Sequence, residues 1–294
     1  MLVPMQWNQL LQQINALHLT TFKLSERFPT GEQGAFIVFD QEHRKAVLKW
    51  TSGSQAISRL ERARAVTDRL REKGYPAPRY LYIGEACGGT YSIQLALPGS
   101  PLPLNMTSGY VPRLLELNAM QVDQALPGLP DGHQEAISTV LFGGEGYCLH
   151  SSLEQYSPRT ATLLSDLQRL VSAHLDTPHR MNDVVHWDFQ HANILAYGHQ
   201  ITGVVDWDAV SAGDCVFDIA TLLFYSYDAR EVREQLWHYA LERASFELLS
   251  IYLAHLILRQ VDWSLRYHDQ KTVELYLHRG IALLAEIQDH LMHF

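Results

Sequence analysis

His186, Asp188 and Asn193 stand in the chain as His-x-Asp-x-x-x-x-Asn, and further on Val204 and Val205 run straight into Asp206. Together these residue types suit one chemistry, the transfer of a phosphoryl group from a nucleotide to a hydroxyl. The attacking hydroxyl needs a carboxylate within hydrogen-bond reach to orient it and accept its proton, and Asp188 can fill that role. The charge on the transferred group needs magnesium, which prefers hard oxygen ligands such as an Asn carbonyl and an Asp carboxylate. Asn193 and Asp206 supply them, with His186 bracing the loop that carries Asp188 and Asn193. Taken singly, each Asp or Asn could be a turn residue. Their order, separation and apolar flanks together favour the catalytic reading, with Mg2+ as cofactor.

These residues need elements to hold them. Ile194 and Leu195, the turn YGHQ and then ITGVV read as two short strands that would bring Asn193 and Asp206 together at their ends. Upstream, FIVFD (36–40) and KAVLKW (45–50) predict a β-hairpin across QEHR. Ser52 or Ser54 can cap a helix in which Ile57, Leu60, Ala63, Val66 and Leu70 recur at helical spacing until Gly74. RYLYIG (79–84) and TYSIQLA (90–96) resume the strand pattern across EACGG. LPGSPLPLN (97–105) then concentrates Pro, Gly and Ser, and long helical stretches follow, with DGHQ and FGGEG read as loops. The expectation is an α+β protein of two lobes. Residues 1–97 form a nucleotide-binding lobe of antiparallel sheet plus one helix, and 98–294 a mostly helical lobe with the catalytic loop and acceptor site.

HWDFQHAN followed by VVDWDAVSAGDCVFDIA resembles the signature of the aminoglycoside phosphotransferase and choline kinase family, relatives of protein kinases, whose pattern is approximately HGDxxxxN then IDWxxxxxGDPxxDLA. The resemblance implies a protein-kinase-like fold and transfer of the ATP γ-phosphoryl group to a small-molecule hydroxyl. It implies that Asp218 fixes the catalytic loop and opens the following helix, and that Asp214 is a neighbouring structural acid. Two positions depart from the pattern. Trp187 replaces a glycine, which questions whether a glycine-only backbone is needed there, although protein kinases carry arginine at the matching place. Cys215 replaces a proline and reads as a buried apolar substitute.

The nucleotide end is read partly from this resemblance. Lys49, ending AVLK, sits where the family's strand lysine would contact phosphates, and Glu61 is the candidate helix acid to pair with it. FPTGEQGAF could be a phosphate loop in which Gly31 and Gly34 let backbone N–H groups approach, although a hairpin turn would look the same. QLALPGSPLP resembles the family's linker, placing backbone contacts to adenine at Leu95 and Leu97. Asp208, Asp262 and Trp263 are candidates to face the acceptor.

The 23 basic against 32 acidic residues of the 294 leave a formal charge of -9, which argues against a nucleic-acid binder and would attract a cationic acceptor. Cys87, Cys148 and Cys215 lack metal-ligand spacing, and no segment reads as a leader or a membrane span, so a cytoplasmic protein is expected. The resemblance implies an acceptor such as an aminoglycoside or other antibiotic, or a metabolite such as choline, a sugar or homoserine. A protein kinase fits less well, because Asp206 opens no DFG and no activation segment ending in APE follows. A non-catalytic nucleotide-binding regulator is the alternative of a different class.

Overall fold

Trp7, Leu10, Leu11 and Ile14 recur at helical spacing and are buried, which sets an N-terminal helix against a sheet before any of the expected strands begins. The computed structural model describes residues 4–27, 35–52 and 56–292. Along the chain run α1 (Pro4–His18), β1 (Lys23–Arg27), β2 (Ala35–Phe39), β3 (Lys45–Ser52), α2 (Ala56–Glu72), β4 (Tyr80–Ala86), β5 (Gly89–Leu95) and β6 (Ser100–Pro101). Then come α3 (Val111–Met120), α4 (Gly132–Phe142), α5 (His150–Tyr156), α6 (Pro158–Ser172), β7 (Asp183–Val185), β8 (Ile194–Tyr197), β9 (Gln200–Val204) and β10 (Ser211–Gly213). The last helices are α7 (Val216–Tyr225), α8 (Arg230–Leu241), α9 (Phe246–Tyr267) and α10 (Gln270–Met292).

Two compact units result, one from Met1–Pro101 with Asn193–Val210, the other from Leu102–Ala192 with Ser211–Phe294. The first is built on an antiparallel sheet of order β1-β2-β3-β5-β4, with a smaller sheet of order β6-β8-β9. Its core joins α1 to the sheet through Trp7, Leu10, Ile14, Val38, Leu48 and Ile93. Asp40 closes the β2–β3 hairpin by accepting the amides of Glu42 and Arg44, both at 2.9 Å. Cys87 and Gly88, at φ 52° and 74°, form the two-residue turn between β4 and β5, a turn that requires left-handed residues. The expected lobe of sheet plus one helix thus gains a second helix, and a return segment brings Asn193 and Asp206 into the first unit rather than leaving them with the helices.

In the second unit α9 is central, packing on α4, α5, α6, α7, α8 and α10. Its residues 248 to 258 are all buried, as a helix surrounded by others must be. α6 begins with a capping box in which Ser157 and Thr160 serve each other's backbone. DGHQ is a helix start rather than a loop, because Asp131 accepts the amide of Gln134 at 3.0 Å and caps α4. No described helix is long and apolar enough to cross a membrane.

Candidate active site

In the first unit the short hairpin of β8 and β9 carries the two expected metal ligands. Ile194 pairs with Val204, and the Val205 amide donates to the Asn193 carbonyl at 2.8 Å, so Asn193 and Asp206 flank the same end of the ladder. Asp206 has φ 69°, a left-handed conformation that Asp tolerates better than most residues. Its side chain is 48% exposed. A carboxylate and an amide oxygen are the hard-oxygen types that suit magnesium.

Lys49 on β3 donates to Asp206 Oδ1 at 2.7 Å, across 157 residues of sequence. The expected partner Glu61 is not brought to it. α2 buries Ala56, Leu60, Ala63, Val66, Thr67 and Leu70, and that apolar face turns Glu61 to an ion pair with Arg64 on the helix surface. Asp208, expected near the acceptor among the helices, instead belongs to the first unit. It lines a cleft with Lys49, Thr51, Arg59, Leu60 and Ser92. Burial raises its pKa, Lys49 opposes the rise and Asp206 adds to it. Its Oδ1 is buried without a hydrogen-bond partner.

At the expected hinge, the Leu95 amide donates to the Arg79 carbonyl at 2.9 Å and is part of the sheet's bonding. Leu97 follows the strand, and β5 ends before it. Gly31, Gly34 and Ser54 lie outside the described residues.

In the second unit the expected catalytic loop is hung from Asp218. This carboxylate, fully buried at the start of α7, accepts the amides of His186 at 2.8 Å and Trp187 at 3.0 Å, and the Gln121 side chain at 2.7 Å. Burial pushes its pKa up to about 7 against the pull of those donors. His186 Nδ1 accepts the Asp188 amide at 3.2 Å. Asp214 accepts the amides of Val216 at 3.0 Å and Arg180 at 3.2 Å, which ties the chain before α7 to the segment before β7. Cys215 is buried beside Asn118, to whose Oδ1 its thiol donates at 3.8 Å, and burial pushes the thiol pKa up, so it stays protonated.

Trp187 answers the question its substitution raised. Its φ is 75°, the left-handed region that favours glycine. The indole is held there by stacking on Phe217, with centroids 4.3 Å apart and planes within 3°. Beside it Asp188 is gripped by two side chains that the sequence reading did not include. Gln190 Nε2 donates to both carboxylate oxygens at 3.0 and 3.1 Å. Arg259 of α9 donates from Nη2 to Asp188 Oδ1 at 2.7 Å and from Nη1 to the Trp187 carbonyl at 2.8 Å. Burial opposes the charge on Arg259, but Asp188 and Tyr225 outweigh it and raise the pKa. A signal was available, since Arg259 is the one charged residue in LLSIYLAHLILRQV, and a charge inside an apolar helix needs a partner.

Asp262, a candidate to face the acceptor, is engaged inside the second unit. It is fully buried on α9, accepting from Arg266 at 3.1 and 2.6 Å and from Ser152 at 2.5 Å, and Arg266 also donates to the Gly146 carbonyl at 3.1 Å. The acid therefore fastens α5 and the 143–149 loop to α9. Trp263 is partly buried against Tyr267, centroids 4.2 Å apart, with Arg266 nearby.

An N-terminal antiparallel sheet with a helix-rich remainder, a strand lysine beside a hairpin acid and a braced His-x-Asp loop define a kinase-like phosphotransferase. Residues 27–249 match the model of the phosphotransferase enzyme family (APH), and the chain belongs to that family. It is 26% identical over 224 residues to viomycin phosphotransferase of Streptomyces vinaceus, covering 68% of this chain and 76% of that protein. The fold is similar to aminoglycoside phosphotransferase APH(4)-Ia in its ternary complex with AMP-PNP and hygromycin B, at TM-score 0.70 and 21% identity over 90% of this chain and 94% of that one. It is also similar to choline kinase LicA from Streptococcus pneumoniae, at TM-score 0.67 and 14% identity over 96% and 99% of the two chains.

Proposed function

We propose that this phosphotransferase moves the γ-phosphoryl group of ATP to a hydroxyl of a small cationic molecule, an aminoglycoside or another antibiotic. The observation that carries the reading is the approach of Lys49 to Asp206 at 2.7 Å, which sets a phosphate-binding cation beside a metal-binding carboxylate. In this reading Asn193 and Asp206 hold Mg2+, which when bound would neutralise phosphate charge. Lys49 binds the nucleotide phosphates and Leu97 offers its backbone to adenine. Asp188 orients the acceptor hydroxyl and takes its proton, while His186 and Asp218 keep the loop in shape. The formal charge of -9 favours a cationic acceptor, and the use of ATP suits a cytoplasmic enzyme.

The similarity to viomycin phosphotransferase and to an enzyme crystallised with hygromycin B places antibiotics first among acceptors to try. The test is an ATP-consumption screen with Mg2+ over aminoglycosides, viomycin, other hydroxylated antibiotics, choline, sugars and homoserine. Acceptor-dependent ADP release with an antibiotic supports the proposal. Release only with choline, a sugar or homoserine would make the chain a metabolite kinase. Nucleotide binding without turnover on any acceptor would leave it a regulator.

A further inference from the structure

The strongest unexplained arrangement lies on one stripe of α9. His255, Arg259, Asp262 and Arg266 follow one another at helical spacing on a helix whose residues 248 to 258 are all buried. Asp262 and Arg266 satisfy each other and fasten a loop. Arg259 reaches the catalytic loop, and its two bonds are of different kinds. One holds the backbone carbonyl of Trp187 at 2.8 Å and the other the carboxylate of Asp188 at 2.7 Å, so one planar fork grips both the main chain that carries the base and the base itself.

Planarity is what makes this useful. The two guanidinium nitrogens have a fixed separation, so bonding both groups at once leaves Asp188 little freedom to rotate, whereas an ammonium would act as a single point charge. Gln190 braces both oxygens from within the loop. The Arg259 side chain is 16% exposed and that of Asp188 30%, so solvent screens the pair only in part. In phosphoryl transfer the protein's work is mostly positioning and charge stabilisation, and a carboxylate's aim on the hydroxyl counts for more than its basicity. An arginine that stabilises the anion therefore assists the reaction as long as it fixes the direction.

We propose that Arg259 is a positioning residue for phosphoryl transfer, holding the Asp188 carboxylate in the orientation that meets the acceptor hydroxyl. The proposal rests on Asp188 being the base, and a purely structural ion pair is its competitor. The two differ in how they combine with loss of the base.

The experiment is a double-mutant cycle of Arg259→Met and Asp188→Asn, read as kcat and KM for ATP with the best acceptor, beside thermal unfolding. On the wild-type background Arg259→Met lowers kcat about a hundredfold, the usual effect of a misplacement near 1 Å, and leaves KM for ATP unchanged. On the Asp188→Asn background the same change lowers kcat no further, because nothing remains to position. Arg259→Lys, which keeps the charge and loses the fork, falls by an intermediate factor and carries the test if the Met variant is unfolded. Guanidinium ion at sub-denaturing concentration restores part of the turnover of Arg259→Ala. An equal fall on both backgrounds, or no fall on the wild type, overturns the proposal. Wild-type turnover by Asp188→Asn alone would instead remove the assignment of Asp188 as base.

Discussion

Lys49 Nζ lies 2.7 Å from Asp206 Oδ1 with side chains 25% and 48% exposed, a pair too open to water to add more than about 1 kcal/mol to stability. In the proposed reading its significance is functional, because phosphates on Lys49 and magnesium on Asp206 would each replace one half of it. Lys49→Met and Asp206→Asn should both weaken binding of Mg2+ with a non-hydrolysable ATP analogue, and both should lower turnover. Asp188→Asn should keep nucleotide affinity while turnover falls by about two to four orders of magnitude, the usual worth of a general base. Calorimetric titration beside kinetics separates the three. Loss of nucleotide binding by Asp188→Asn, with binding and turnover kept by Asp206→Asn, would reverse the assigned roles.

Trp187 trades backbone strain for packing. A bulky residue at φ 75° costs on the order of 1–2 kcal/mol, while the stacked, nearly buried indole contributes about 3–5 kcal/mol relative to a truncated side chain. Trp187→Gly should therefore lower stability by about 2 kcal/mol and still turn over, because the Asp218 bonds to this loop are to backbone amides. Trp187→Arg should also fold and keep measurable transfer. Denaturant unfolding of the glycine variant decides the balance, and a gain in stability would mean that the strain exceeds the stack.

Acid should destabilise the second unit through three histidines. Burial pushes His133 down to about 4, with His179 adding to the fall and Asp131 opposing it, and burial with a neighbouring arginine pushes His191 down to about 4 and His255 down to about 3. Each folded value lies below the ordinary 6.5. The stability these groups contribute is thus complete above that pH and is lost as pH falls toward the folded values, by up to about 1.4 kcal/mol per pH unit for each proton. Asp218, raised to about 7, acts in the opposite sense, its contribution falling as pH rises from about 4 to about 7. Melting temperatures of wild type and His255→Asn across that range test the histidine share. The variant should show a shallower acid slope, and parallel curves would count against it.

Asp262 should matter to stability and not to acceptor affinity. Asp262→Asn weakens two bonds from Arg266 and one from Ser152, a loss of about 1–3 kcal/mol when a buried charged partner is removed. Thermal unfolding should report that loss with acceptor KM unchanged. A large rise in KM in a protein of wild-type stability would return Asp262 to the acceptor site.

The local record of the chain was enough for features formed within a few positions of one another. The His-x-Asp-x-x-x-x-Asn spacing, the apolar run that follows Asn193 and the one that ends on Asp206, the β2–β3 hairpin and the stop of α2 at Gly74 are short-range patterns, and periodicity and turn chemistry encode them directly. What tertiary structure decided were the partners. Lys49 meets Asp206 across 157 residues rather than Glu61, Asp188 meets Arg259 across 71, and Asp208 lines the cleft of the first unit instead of the helical one. The spacing in Glu61, Asp208 and Arg259 names a charge and a helix or loop, but not the direction in which the packed element turns it. That direction is set by which face α2 and α9 bury, and by the return of Asn193–Val210 to the first unit, and both depend on contacts far apart in the chain.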